Sequence, residues 1–176
     1  MESRLPDRRA IVQVYAVIAV MFAGWTITAF LWKLSAWLLL LNLGEVLTIF
    51  SYAMTANFLE SLIILALLLA TSALLPARFL RDDFVVRGTI LSGGTIGALM
   101  AFVGFHMQFG IDNRLGLLIA PLTVLLLMGL LLAFGSRWGS LRSAAVWLSD
   151  RVTVFLLILL PLFALASIYV IVRNIS

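Results

Sequence analysis

The stretch AIVQVYAVIAVMFAGWTITAFLW at positions 10–32 decides the class of fold. It holds 23 residues and no charged side chain, and about 20 apolar residues suffice for a helix to cross the hydrocarbon core of a bilayer. The run is too long for the apolar region of a signal peptide, and no small-x-small cleavage site follows it in polar sequence. It therefore predicts a first transmembrane helix that is retained in the protein.

The composition of the whole chain agrees with an integral membrane protein. Of its 176 residues, 64% are apolar and 11% are charged, whereas soluble domains are about 45–50% apolar and about 25% charged. The chain has no cysteine and one histidine, which excludes disulfides, thiolate metal sites and any site that needs two imidazoles from this chain. The chain has a net charge of +4. Its basic residues lie in short gaps between the apolar runs, where they are expected to contact lipid phosphates. A nucleic-acid partner is therefore not expected.

Further apolar runs predict an all-α membrane protein with about five transmembrane helices in one domain covering residues 1–176. The segment 34–57 is ambiguous, because it carries polar side chains among leucines. If it does not cross, nine basic residues lie on one side and three on the other, whereas a sixth crossing divides them seven against five. The positive-inside rule thus favours an N-terminus inside, a C-terminus outside and an outer interfacial or re-entrant helical segment at 34–57. The predicted spans are 10–32, 58–76, 88–110, 115–134 and 152–172.

Two further features shape the predicted spans and their connections. The gap 135–151 mixes basic and aromatic residues, which favours a short helix on the inner membrane surface.

Pro121 and Pro161 fall inside predicted spans, where each removes a backbone hydrogen bond and kinks the helix. Such kinks are more often packing features than gates or cavity walls.

Asn42 and Glu45 begin a stripe of polar residues in the ambiguous segment. On a helix, Asn42, Glu45, Thr48 and Tyr52 recur every three or four residues and share one face. The stripe could face water at the outer interface, line a cavity as part of a re-entrant element, or pack on another helix through hydrogen bonds.

Glu60 is the carboxylate inside the second predicted span. Asn57 precedes it by three residues, so the pair is predicted to form a capping box at the start of that helix, with the carboxylate near the positive end of the helix dipole. The rival hypothesis is that Glu45 and Glu60 converge on a cation, a proton path or a polar head group, because ionisable groups at membrane depth often mark function.

His106 lies among aromatic residues in the third predicted span. A single membrane histidine can ligate haem iron or a pigment metal. Phe102, however, stands four positions earlier, where an antenna-type signature has a small residue, and no second histidine is present. We therefore expect His106 to bond to a neighbouring group or to water. No metal site and no cofactor are implied.

Small residues of the same span predict close helix packing. Gly93, Gly97 and Ala101 recur every four residues, and Gly104 continues their face. A small-xxx-small stripe lets two helix backbones approach closely in lipid. His106 lies about 180° around the helix from Gly97, so the histidine face and the packing face differ.

The expected function follows from this inventory. The leading hypothesis is a non-catalytic multi-pass membrane subunit that packs with other membrane proteins in a complex or with copies of itself, and that contacts membrane lipid. The first alternative is a small oligomeric transporter or channel that uses Glu45 and Glu60. The second is an intramembrane enzyme that acts on a lipid-linked substrate.

The expected location is a bacterial inner membrane. The stretches 42–45 and 169–174 resemble uncharacterised small multi-pass bacterial proteins, and the arginine-rich loops between spans are compact. The resemblance implies a location and no activity.

Overall fold

The computed structural model describes residues 6–74, 80, 83–109 and 139–175. Every regular element in that part of the chain is a helix, and four helices are long and apolar enough to cross a membrane. The prediction of an all-α membrane protein is therefore confirmed. The predicted span 115–134 and Pro121 lie outside the described residues. The helices are α1 (Arg8–Leu40), α2 (Leu43–Leu74), α3 (Phe84–Phe109), α4 (Gly139–Thr153) and α5 (Leu156–Ile175).

The ambiguous segment 34–57 is the tip of a helical hairpin and not an element of its own. α1 continues through Lys33 to Leu40, because a lysine is a good helix former and does not end a helix. After a turn of two residues, α2 begins at Leu43 and runs without interruption to Leu74. The helices thus continue past the predicted span boundaries at 32 and 58, and apart from the turn at 41–42 the residues between these boundaries lie on α1 and α2.

A capping box at Asn42 and Glu45 begins α2. The Oδ1 atom of Asn42 accepts a hydrogen bond from the backbone N–H of Glu45 at 2.9 Å, and the Oε2 atom of Glu45 accepts one from the N–H of Asn42 at 2.8 Å. These bonds satisfy two N–H groups that the first turn of a helix leaves without partners. The predicted capping box of Asn57 and Glu60 was wrong, because both residues lie in the interior of α2.

α1 is the central helix, and it packs against all four others. Its residues from Gln13 to Ala19 are buried on every side. Small and β-branched side chains dominate that stretch, so neighbouring helices can approach its backbone closely. One core cluster joins α1 with α2 and α5, and it contains Tyr15, Ala16, Ala19, Ala23, Met54, Leu156, Leu159, Phe163 and Ala166. A second joins α1 with α2 and α3, and it contains Val14, Ile18, Leu68, Leu80, Phe84 and Ile96.

The two ends of the described chain lie at opposite ends of the bundle. The end of α5 reaches the beginning of α2, where the Tyr52 hydroxyl donates a hydrogen bond to Asn174 at 2.6 Å. At the other end, the beginning of α1 meets α4, and Gln13 donates a hydrogen bond to Asp150.

α4 is the short helix expected in the gap before the last span. It lies across α1 and the beginning of α3. Arg142 of α4 forms an ion pair with Asp83 at 2.9 Å, while Asp150 lies 4.0 Å from the exposed Arg9. The side chain of Trp147 on α4 is exposed. The following helix, α5, continues through Pro161 as one element.

Three of the four small residues predicted to form a packing face of α3 lie against α1. A Cβ atom built on Gly93, Gly97 or Gly104 would meet a side chain of α1 at 3.5–3.7 Å, so the two helices approach closely there. The fourth residue, Ala101, is exposed. It follows Gly93 by eight residues, which turns it about 80° away around a helix of 3.6 residues per turn.

Candidate functional site

A groove of about 530 Å³ runs between α2 and α3, with α1 as its floor. α2 and α3 approach each other near Gly88, where a Cβ atom would lie 3.6 Å from the Leu68 side chain. Beyond that point both helices rest on α1 and leave a space between them. The floor contains Phe22, Trp25 and Thr26, one wall contains Asn57, Glu60, Ile64, Leu67, Leu68 and Thr71, and the other contains Leu91, Ser92, Thr95, Ile96, Leu99, Met100 and Val103.

The groove is elongated along the helix axes. Its lining covers residues 57–71 of α2 and 91–103 of α3, which at 1.5 Å per residue correspond to roughly 20 Å. Leu67 and Leu99 on its two rims are exposed, so the groove is open to the side. Its shape therefore suits an extended apolar occupant that lies parallel to the helices.

Asn57 joins the floor of the groove to one wall. Its Oδ1 atom accepts a hydrogen bond from the Thr26 hydroxyl at 3.1 Å, and its Nδ2 atom donates to the carbonyl oxygen of Phe22 at 3.5 Å. The side chain is buried. Since these bonds cross between two helices, Asn57 fixes the rotation of α2 against α1, which in turn directs Glu60 towards the groove.

The hydroxyl groups of the walls are bonded within their own helices. Ser92 donates to the carbonyl of Gly88 at 2.6 Å, and Thr95 donates to that of Leu91 at 2.6 Å. These residues add little polarity to the groove, because their donor hydrogens already have acceptors. Their small size keeps the space open.

Among the described residues that line the groove, Glu60 is the one carboxylate. Its side chain is exposed, and among the described residues it has neither a hydrogen-bond partner nor a cation within 4.0 Å. Its depth follows from its neighbours: Asn57 bonds to Phe22, and Ser61 donates to the Tyr15 hydroxyl at 3.4 Å. Glu60 therefore lies level with the middle of the charge-free run 10–32.

Glu45 does not share a site with Glu60. Both lie on α2, and their separation of 15 positions corresponds to about 22 Å along a straight helix. Glu45 is engaged in its capping box at the hairpin tip. The hypothesis that the two carboxylates converge was therefore wrong, because it assumed that they belong to separate elements.

The polar stripe that begins at Asn42 is used for helix packing. Thr48 and Tyr169 of α5 are joined by a hydrogen bond of 3.0 Å between their hydroxyl groups. Arg173 donates to both hydroxyls. These contacts agree with the third of the alternatives for the stripe, hydrogen-bonded packing on another helix.

Sequence reasoning missed the partners of the stripe on α5. Tyr169 and Arg173 are four residues apart and therefore share a helix face. That spacing is the signal that could have identified them. His106 is in the last turns of α3, and its side chain lies outside the described part of the structure.

We expect replacement of Asn57 by leucine to lower the free energy of unfolding by about 0.6 kcal/mol and by no more than about 1.7 kcal/mol, the range for hydrogen bonds between transmembrane helices. Detergent-induced unfolding in mixed micelles measures the change. If the bond is responsible, adding Thr26→Val to Asn57→Leu costs no further stability, since the bond is already absent. Thr55→Val is the control, because Thr55 bonds within its own helix. Fully additive losses would show that the two residues are not coupled.

The described lining of the groove offers a largely apolar surface and the carboxylate of Glu60. Within the described ranges, no three His, Cys, Asp or Glu side chains come together as a metal-binding group. Comparison of the chain with models of protein families, with curated proteins and with solved structures finds no match.

Proposed function

We propose that this protein is a non-catalytic multi-pass membrane subunit that packs against another membrane protein along the groove between α2 and α3. The observation that carries the proposal is Glu60, a carboxylate at the middle depth of the bundle with no partner among the described residues. A charged group at the centre of a membrane helix costs about 2.5–3.5 kcal/mol on insertion scales. A side chain retained at that cost is normally satisfied by a group inside the assembly.

The shape of the groove supports a helix as the occupant. Its length of roughly 20 Å matches about 13 residues of an α-helix. Ser92 and Thr95 line one wall and Thr26 lies on the floor, and interfaces between membrane helices are enriched in such small residues because they permit close contact. A helix in the groove would also cover the apolar rims at Leu67 and Leu99.

Site-specific crosslinking in the membranes that naturally contain the protein tests this function. A photoreactive amino acid replaces Leu99, which is 56% exposed at the groove rim, or Leu165, which is 66% exposed on α5 and lines no part of the groove. We expect one discrete membrane protein to crosslink from position 99 and not from position 165. Filling the groove with Thr95→Trp should abolish that adduct, whereas Leu165→Trp should leave it unchanged.

Other outcomes of this experiment would overturn the proposal. Adducts that contain only lipid, at both positions, would show that the groove faces the bilayer. If the crosslinked protein is a second copy of this chain, the groove joins copies in a homo-oligomer and not the subunits of a heteromeric complex. The same partner captured equally from both positions would show that the groove is not the docking surface.

A further inference from the structure

We propose that the occupant of the groove is a transmembrane helix that carries a lysine or an arginine at its centre, and that this cation pairs with Glu60. This inference rests on the proposed function, and it adds the chemistry by which the partner is recognised. Three observations lead to it: the depth of Glu60, the distribution of basic residues along this chain, and the shape of the groove.

The depth of Glu60 limits which groups can reach it. The contacts of Asn57 and Ser61 with α1 bracket Glu60 between the levels of Thr26 and Tyr15. The hydrocarbon core is about 30 Å thick, so a group at its centre is about 15 Å from either headgroup layer. A phospholipid headgroup therefore lies too far away, and its phosphate carries the same sign of charge as the carboxylate.

Among the described residues, no basic side chain lies within 4.0 Å of the Glu60 carboxylate. The chain has 12 lysines and arginines, and none of them falls within the five predicted spans, which include the apolar run 115–134. Among those in the described ranges, Arg9 and Arg142 pair near one end of the bundle, and Arg173 bonds near the other. Since none of the described basic residues pairs with Glu60, we place the cation on another chain.

A cationic side chain on a membrane helix satisfies both the charge and the shape of this site. In a low-dielectric environment an isolated charge is costly, and a close pair of opposite charges offsets part of that cost. The groove walls are largely apolar and include Ile64, one turn from Glu60 on α2, and Met100 on α3, so they suit the aliphatic stem of a lysine or arginine. The charge pair would then make the groove specific for its partner, and the apolar contacts would contribute most of the buried interface area.

Binding of synthetic transmembrane peptides tests the inference directly. The full-length protein is reconstituted in phosphatidylcholine vesicles and labelled through Ser140→Cys, a unique thiol because the chain has no cysteine. The peptides are leucine–alanine helices of about 23 residues with lysine or leucine at the central position. We expect the lysine peptide to bind at least about tenfold more tightly, the lower end of the coupling measured for close ion pairs.

Variants of the two carboxylates on α2 provide the controls. Glu60→Gln should remove the preference for lysine, while Glu45→Gln, at the hairpin tip, should leave it unchanged. Glu60→Lys should reverse the preference, so that a peptide with central glutamate binds better than the lysine peptide. Because this reversal requires a folded protein, it separates loss of the charge from loss of the fold.

Failure of the inference is distinguishable from failure of the proposed function. Equal binding of the lysine and leucine peptides, or a preference that survives Glu60→Gln, would overturn the ion pair. Absence of binding by both peptides would overturn it as well. In either case a discrete partner crosslinked from position 99 would still support a subunit that docks through the groove.

Discussion

Replacing Phe163 with alanine is expected to lower the free energy of unfolding by about 3 kcal/mol, the lower end of the range for this substitution in water-soluble cores. Phe163 is 0% exposed where α1, α2 and α5 meet, and its ring lies 5.5 Å from that of Phe58. The loss comes from dispersion contacts around the cavity that alanine would leave. The lower end of the range applies because separated helices remain in lipid, so less apolar surface returns to water.

The matched control for Phe163 lies on the same helix. Leu157 is 77% exposed, so we expect Leu157→Ala to change the stability by much less than Phe163→Ala. Unfolding of the purified protein in mixed micelles, followed by circular dichroism, gives both values. Equal losses for the two variants would show that α5 is not packed through Phe163.

Replacing Gly88 with leucine is expected to separate α3 from α1 and to cost at least about 1–3 kcal/mol, the usual range for overpacking. A Cβ atom at Gly88 would lie 3.0 Å and 3.2 Å from the two methyl groups of Val14 and 3.6 Å from Leu68. Val14 is fully buried, and a β-branched side chain in a helix has one strongly preferred rotamer. It therefore has little freedom to move away.

A second glycine provides the control for this prediction. Gly24 has no atom within 4 Å of an added Cβ, so Gly24→Leu should keep or raise the stability, because leucine favours helix more than glycine does. Thermal unfolding in detergent compares the two variants. The milder Gly88→Ala should be relieved by Val14→Ala, which removes the methyl groups that it meets. A Gly88→Leu protein as stable as Gly24→Leu would show that the α1–α3 contact is looser than described.

The same pattern of an asparagine followed three residues later by a glutamate occurs at the start of α2 and again in its interior, and only the first copy caps the helix. Asn42 and Glu45 have the same spacing as Asn57 and Glu60, yet only the first pair exchanges hydrogen bonds with its own backbone. The amide of Asn57 instead bonds to Thr26, a residue 31 positions earlier in the chain. Spacing alone could not distinguish the two pairs, because the competing partner of Asn57 lies on another helix.

The glycine spacing of α3 predicts that the helix has a close-packing face, but it does not predict which helix packs there. The spacing of Gly93, Gly97 and Gly104 indicates a face suited to close packing, and it lies against α1. The pattern did not reveal that the partner would be α1, nor that Ala101 would turn away from it. Selection of a partner depends on how several helices pack at once.

The sequence by itself determined that this is an all-α membrane protein, because the length of an apolar run and the absence of charge within it are local properties that the bilayer recognises directly. Only the tertiary structure decided where α1 and α2 end, which polar groups meet, and that Glu60 faces a groove apart from Glu45. These outcomes depend on the rotation of each helix about its axis and on the register between helices. Both are determined by packing against α1, which contacts every other described helix.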